Sequence, residues 1–299
     1  MQPQFPIYIP SKSRASTATT PRVLEDMGVD YRIVVEEQQY KEYSEYFKKS
    51  RLLVLDPKYY AEYDACMEIE EGESKGSGPA RNFIWEHSIS EGHDWHWTMD
   101  DNIYEFLRLH KNQKIGVGDG TIFVAMEDFS LRYENVAMAG PHYRGFADAR
   151  KKMPPFITGT RVFSCNLIRN DLPFRWRGRY NEDVDLSLRM LKAGWATIQF
   201  FAFLQDKAKT QTFAGGNTEA FYAKEGTYLK SKMLVDLHPD VTELAWRFGR
   251  VHHHVDYSQW RGMPLIKKKD YQSSKNNPYK MKLVNKTRSG KKSGKKYLD

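Results

Sequence analysis

The feature that most constrains this chain is the regular alternation of short apolar runs with helix-patterned stretches over its first 112 residues. Residues 5–9, 31–35, 51–55 and 95–99 read as strands. Helices are expected between them. One is capped at Thr20, has Pro21 at its first position and stops at Gly28; an amphipathic, tyrosine-rich one covers 38–49; a third starts at Pro79 and stops at Gly92. A fourth is expected over 103–111. This rhythm predicts an α/β fold, a mostly parallel sheet flanked by helices on both faces. Ligands of such sheets lie beyond the strand carboxyl ends. The second half is less regular. Strands are expected at 121–126, 135–139, 157–165, 197–203 and 250–257, and helices at 181–193, 218–234 and 239–248. No internal repeat and no linker interrupt the chain before residue 263.

Charge is distributed unevenly. From Met263 onward the chain carries eleven lysines and one arginine against two aspartates, a net +10, so the rest is left at −2 of a total of +8. A basic stretch with little apolar content reads as a flexible tail attracted to polyanions, over 263–299, following a body of 1–262. A fraction of 40% hydrophobic and 14% aromatic residues supports a real core in that body. The two cysteines, Cys66 and Cys165, form neither a disulfide framework nor a CxxC metal pattern. A reducing, cytoplasmic setting is expected, with no signal peptide and no membrane partner.

Four constellations carry chemistry. Asp100-Asp101-Asn102 follows the aromatic strand 95–99. Two carboxylates and an amide oxygen suit a hard cation such as Mg²⁺ or Mn²⁺, which in turn suits a diphosphate leaving group. Adjacent side chains on a strand point oppositely, so the strand has to break before both acids face one ion; otherwise one binds metal and the other a sugar or ribose hydroxyl. Asn181-Glu182-Asp183-Val184-Asp185 opens an amphipathic helix. First-turn acids are favoured by the helix dipole alone, but Glu182 or Asp183 at a crevice would also serve as a general base. His252-His253-His254 alternates along a late strand, with His252 and His254 on one face. Gly78-Pro79-Ala80-Arg81-Asn82 puts Arg81 in the first turn of a helix, where anions bind, and Lys12 and Arg14 follow the first strand. Neither GxGxxG nor GxxxxGK[ST] is present.

In this order the pieces resemble a GT-A glycosyltransferase. They are Ile-Tyr-Ile-Pro-Ser-Lys-Ser-Arg (7–14), Val34-Val35-Glu36, Gly-Pro-Ala-Arg-Asn (78–82), Trp-Thr-Met-Asp-Asp-Asn (97–102), Ile-Thr-Gly-Thr-Arg (157–161), Asn-Glu-Asp-Val-Asp-Leu (181–186) and the late histidines. Within that class the chain is most similar to the TET-associated glycosyltransferases of bacteriophages, relatives of the base J glucosyltransferase. The resemblance implies a GT-A domain over 1–262, with a nucleotide-sugar half at about 1–112 and an acceptor half at 113–262. It implies a hexosyl donor such as UDP-glucose and, as acceptor, a modified pyrimidine such as 5-hydroxymethylcytosine in DNA. A phage enzyme would act in the infected host's cytoplasm.

The resemblance assigns Pro10, Ser11, Lys12, Arg14, Glu36, Arg81, Asp100 and Gly159 to the donor. It assigns Asp100, Asp101 or Asn102 with His252 or His254 to Mn²⁺ or Mg²⁺, and Asp183, beside Glu182, to the base of an inverting displacement. Asn102 departs from a strict DxD, which leaves open whether Asp101 or Asn102 meets the ion. Arg175, Trp176, Arg177, Arg179 and Tyr180, mixing bases and aromatics ahead of the base, are expected to hold the acceptor strand. The rivals are a glycosyltransferase with a protein, glycan or lipid acceptor, a nucleotidyltransferase, and a non-catalytic nucleic-acid-binding protein.

Overall fold

The computed structural model describes residues 1–148, 153–207, 227–247 and 249–271. It is built on one ten-stranded mixed sheet and a two-stranded hairpin. The strands are β1 (Ile7–Pro10), β2 (Arg32–Val35), β3 (Leu52–Val54), β4 (Trp95–Met99), β5 (Ile103–His110), β6 (Gln113–Gly116), β7 (Val136–Tyr143), β8 (Phe156–Thr158), β9 (Cys165–Arg169) and β10 (Ala196–Lys207). The hairpin is β11 (Thr242–Arg247) with β12 (Arg250–Val255). The order across the sheet is β3-β2-β1-β4-β9-β7-β10-β5-β6, with β8 also on β10. Pairing is parallel through β3, β2, β1 and β4 and again between β7 and β10, and antiparallel elsewhere.

The helices are α1 (Thr20–Asp26), α2 (Tyr40–Tyr46), α3 (Pro57–Ala61), α4 (Gly78–Ser90), α5 (Thr121–Leu131), α6 (Glu182–Lys192) and α7 (Tyr228–Leu237). Strand alternation sorts them into two layers. Ile7, Ile9, Ile33 and Val35 face one way, onto Leu24 of α1, Tyr43 of α2 and Phe123 and Met126 of α5. Tyr8 and Val34 face the other, onto Ile84 of α4, while Trp85 of α4 and Leu186 and Met190 of α6 cover Met138 and Ile168. Both faces of the central strands are therefore buried.

Three expected elements take another form. Residues 103–111 were expected to be a helix but form strand β5, because Lys111 and Asn112 both adopt positive φ (49° and 63°) and turn the chain directly into β6. That is the backbone of a two-residue hairpin. Residues 121–126 were expected as a strand; they start α5, where Asp119 accepts the Thr121 amide at 2.9 Å and a continuous apolar run is buried on nearly every side. Residues 239–248 were expected as a helix, but Thr242–Arg247 is β11, held by β12. Part of the helix expected over 218–234 and the tail beyond Tyr271 lie outside the described residues. The first residues past 262 stay on the body: the Ile266 amide donates to Asn135, Lys267 bridges Tyr133, and Tyr271 donates to Asp128 at 2.6 Å. Among the described residues no helix is long and apolar enough to cross a membrane.

Candidate active site

The parallel strands β1, β2, β4, β7 and β10 end along one edge of the sheet, and the chemistry gathers there. Immediately after β4 the chain leaves the ladder, held by the start of α1. The backbone amides of Thr19 and Thr20 donate to the Asp101 carbonyl (2.9 and 3.1 Å), and the Thr20 hydroxyl donates to the Asp100 carbonyl at 2.6 Å. This turn lets the two adjacent acids serve different neighbours. Asp101, buried, accepts from Ser11 Oγ at 2.7 Å and pairs with Arg14 Nη1 at 2.7 Å. Asp100 pairs with Arg81 Nη2 at 2.7 Å and with Lys207 Nζ at 2.6 Å. Burial works to raise the Asp100 pKa, but Lys207 and Arg81 outweigh it and hold the group at about 2. For Asp101 burial prevails over Arg14 and Ser11, and its pKa is raised.

Arg81 joins the two acidic motifs. It is 3% exposed, and beyond its bond to Asp100 it places Nε 3.9 Å from Glu182 Oε1. Ser77 Oγ completes the bridge, accepting from Arg81 Nε at 3.2 Å and donating to Glu182 at 2.8 Å. A Cβ at Gly78 would stand 1.8 Å from the Tyr63 hydroxyl, so glycine is required where α4 enters this contact. Asp183 follows Glu182 in the first turn of α6. Its pKa is raised to about 6 by burial, then by the Glu182 and Asp100 carboxylates, with Arg81 and Lys230 opposing. Asp100 and Asp183, 83 positions apart in sequence, thus feel each other's charge. Lys230, on α7, has its own pKa lowered by burial and by Arg250 and Lys207, against Asp183 and Glu182.

Three non-glycine residues at positive φ shape the edge: Ser13 (55°), Ser164 (68°) and Asn181 (50°). Such conformations persist only where their surroundings hold them, and they gather at functional sites. The Ser164 carbonyl accepts the Asp100 amide at 2.7 Å, and its hydroxyl accepts from Lys207 at 2.9 Å and meets Tyr143 OH at 2.6 Å. Asn181 donates to the Lys230 carbonyl at 2.7 Å, fixing α7 against the start of α6.

The remaining expected residues fall as follows. Pro10 ends β1 and delivers Ser11 to the edge; Lys12 pairs with Glu36 at 2.6 Å on the surface beside it. Gly159 has φ +74° and lies so close to the chain at Trp260 that a Cβ would be 1.8 Å from the Trp260 carbonyl oxygen, which gives this glycine a packing reason. His254 stands at 3.3 Å from the exposed Glu243, and His252 Nδ1 lies 2.7 Å from the His253 carbonyl oxygen. The inward imidazole is instead His253, whose pKa falls to about 3 through burial, then His252, Lys230 and Arg161.

The segment 175–180, expected to present a stacking surface, is turned into the protein. Trp176 and Tyr180 are each 1% exposed. The Trp176 ring packs against the Arg81 guanidinium, 4.7 Å from its centroid, and so backs the bridging cation. Arg175 pairs with Glu86 at 2.6 Å, Arg177 with the buried Asp185 at 3.1 Å, and Arg179 with Glu73 at 2.9 Å. The physical reason is charge: each arginine of this segment has an acid of the fold beside it.

Lys207, Ser164, Ser77 and Lys230 were not singled out from the sequence. Lys207 ends a parallel strand, and the strand-end rule alone points to it. The others lie in loops or helix starts that only the tertiary fold brings to the edge.

Among the described residues no group of three or more His, Cys, Asp and Glu side chains is arranged to hold a metal. Two hard oxygen ligands are nevertheless consistent with one: Asp100, and Asn102 Oδ1, which is buried with no hydrogen-bond partner. The Lys207 ammonium competes for Asp100.

The sheet edge thus gathers the acids Asp100, Asp101, Glu182 and Asp183 with the cations Arg14, Arg81 and Lys207. A model of the TET-Associated Glycosyltransferase family matches residues 5–216. The chain belongs to that family and is a glycosyltransferase. No curated protein matches it.

Proposed function

We propose that the enzyme has the GT-A fold and moves a hexose from a nucleotide-sugar donor, UDP-linked, to the hydroxyl of a modified pyrimidine such as 5-hydroxymethylcytosine in DNA. The observation that carries this reading is the Asp100–Arg81–Glu182 bridge, which brings the strand-end acids and the first turn of α6 into one charged cluster. The nucleotide lies over Ser11, Lys12 and Arg14 at the end of β1. Asp183 accepts the proton of the attacking hydroxyl, and its pKa of about 6 leaves it ionised at neutral pH yet basic enough to act. The anomeric carbon passes through an oxocarbenium-like state and its configuration inverts.

Lys207 and Arg81, held in place before the donor arrives, stabilise the charge that grows on the departing diphosphate. A Mn²⁺ or Mg²⁺ ion held by Asp100 and Asn102 would add to that stabilisation. The DNA acceptor is supported by the family, whose name links it to TET-type enzymes, and by the positive charge of residues 263–299. The test is mass spectrometry of hydroxymethylated and unmodified DNA after incubation with Mn²⁺ and a panel of nucleotide sugars. A hexose on the hydroxymethylated strand alone supports the reading. Nucleotidyl transfer, or transfer only to protein, glycan or lipid, replaces it.

A further inference from the structure

Lys207 ends β10, and the strand does not deliver it by regular alternation. β10 runs in register with β5 as far as Asp206, opposite Glu105, but at Lys207 the partner is Ile103, so the register shifts between the two residues. An irregularity of this kind re-aims the side chain beside it. The ammonium donates to Asp100 Oδ2 at 2.6 Å and to Ser164 Oγ at 2.9 Å. It also lies over the Tyr143 ring, 5.7 Å from the centroid, within the range of a cation–π contact.

Tyr143 reaches Lys207 by two routes. It ends β7, the parallel neighbour of β10, and lies opposite Gln205, two residues before the lysine. Its ring meets the ammonium directly, and its hydroxyl stands 2.6 Å from Ser164 Oγ, which accepts from the same ammonium. Phe163 and Phe146 pack on the ring, with centroids 4.4 and 5.8 Å away. Ser164 is 4% exposed, and its carbonyl accepts the Asp100 amide at 2.7 Å. One serine therefore fixes the lysine through its hydroxyl and the backbone of the paired acid through its carbonyl. Arg81, the other cation on Asp100, is held by Ser77, Glu182 and Trp176. Lys207 carries a compact charge on a flexible stem, and Ser164 and Tyr143 do for it what those three do for Arg81.

We propose that Tyr143 and Ser164 are positioning residues for Lys207. They hold its ammonium at the strand-end edge where the departing diphosphate gathers charge, so that no reorganisation is needed during transfer. The inference rests on the reading of Lys207 as a stabiliser of that diphosphate. A tyrosine hydroxyl that served only packing would cost activity whether or not Lys207 were present. One that acts through the lysine costs nothing once the lysine is gone, and a double-mutant cycle separates the two.

The experiment uses the full-length enzyme, UDP-glucose and a hydroxymethylated oligonucleotide. It crosses Lys207→Met with Tyr143→Phe, which keeps the ring and removes only the hydroxyl. Turnover at saturating donor is expected to fall about 10²-fold in Lys207→Met and about 10-fold in Tyr143→Phe and in Ser164→Ala. Adding Tyr143→Phe to Lys207→Met changes turnover by less than about twofold, and the KM for DNA stays within about twofold throughout. UDP affinity by calorimetry reads the same cycle without an acceptor: weaker in each single variant, and no weaker in the double variant than in Lys207→Met alone. Wild-type turnover and UDP affinity in Tyr143→Phe, or an undiminished loss when it is added to Lys207→Met, overturns the positioning role alone. Wild-type turnover and UDP affinity in Lys207→Met overturns the reading of Lys207 and the positioning role with it.

Discussion

Arg81 shows how one side chain organises a site. It is buried, packed on Trp176 and shared between Asp100 and Glu182. A lysine has one compact charge and no planar fork, so Arg81→Lys cannot span both acids or keep the ring contact. Turnover should fall by about 10²–10³, the size found for loss of one preorganised charge donor; steady-state kinetics at saturating donor measures it. Asp183 makes a second residue-scale prediction. It must be ionised to accept a proton, so kcat/KM should rise with pH through about 6 and then level. Burial first, then Glu182 and Asp100, raise the pKa that sets this limb, and Arg81 and Lys230 lower it. A profile flat between pH 5 and 7 would remove Asp183 from the role.

At the scale of elements, the β1–β4 pair depends on a residue remote from the site. Glu127 of α5 accepts from the amides of Gln4 (2.7 Å) and Phe5 (3.2 Å) and from Trp97 Nε1 (2.8 Å). Glu127→Ala leaves the buried indole N–H and the Phe5 amide without partners and should cost about 3 kcal/mol in urea unfolding. Burial raises the Glu127 pKa to about 7, over the opposing bonds from Gln4, Trp97 and Phe5. A pKa raised on folding means that the folded state binds its proton more tightly. This contribution is full below the unfolded value of 4.5 and is lost as pH rises through about 7.

Element type was readable where periodicity was long or capped, as in α4 with its Gly-Pro entry and α6 with its acidic start. It was not readable in 103–110, where Ile, Tyr, Phe and Leu fit either pattern and the deciding residues are the positive-φ pair Lys111–Asn112. Nor was it readable in 242–247, where the partner strand decides. The acids of the site stood out in the sequence as carboxylate clusters. Of the cations that face them, Arg14 and Arg81 stood out in their motifs, but Lys207 and Lys230 look like any lysine until the fold places them beside Asp100 and Asp183.

The whole molecule is a sheet whose charged edge is held together by ion pairs, and its acid stability should follow them. Asp100 and Asp185 are both lowered to about 2 from an ordinary 3.8, against the effect of burial: Asp100 by Lys207 and Arg81, Asp185 by His238, Arg189 and Arg177. Their contribution is fully present above the unfolded value and is lost as pH falls from about 4 toward 2. The urea midpoint should drop over that interval, and Asp185→Asn should flatten the drop. Truncation after Tyr271 removes nine basic residues and one aspartate. It should weaken DNA binding and its salt dependence while leaving donor affinity and the thermal midpoint near wild type.

The most direct test is mass spectrometry of hydroxymethylated DNA treated with nucleotide sugar and either wild type or Asp183→Asn, beside calorimetry of donor binding to both. The account predicts a hexose adduct with wild type only and equal donor affinities. An equal adduct yield from the Asp183→Asn enzyme would contradict it.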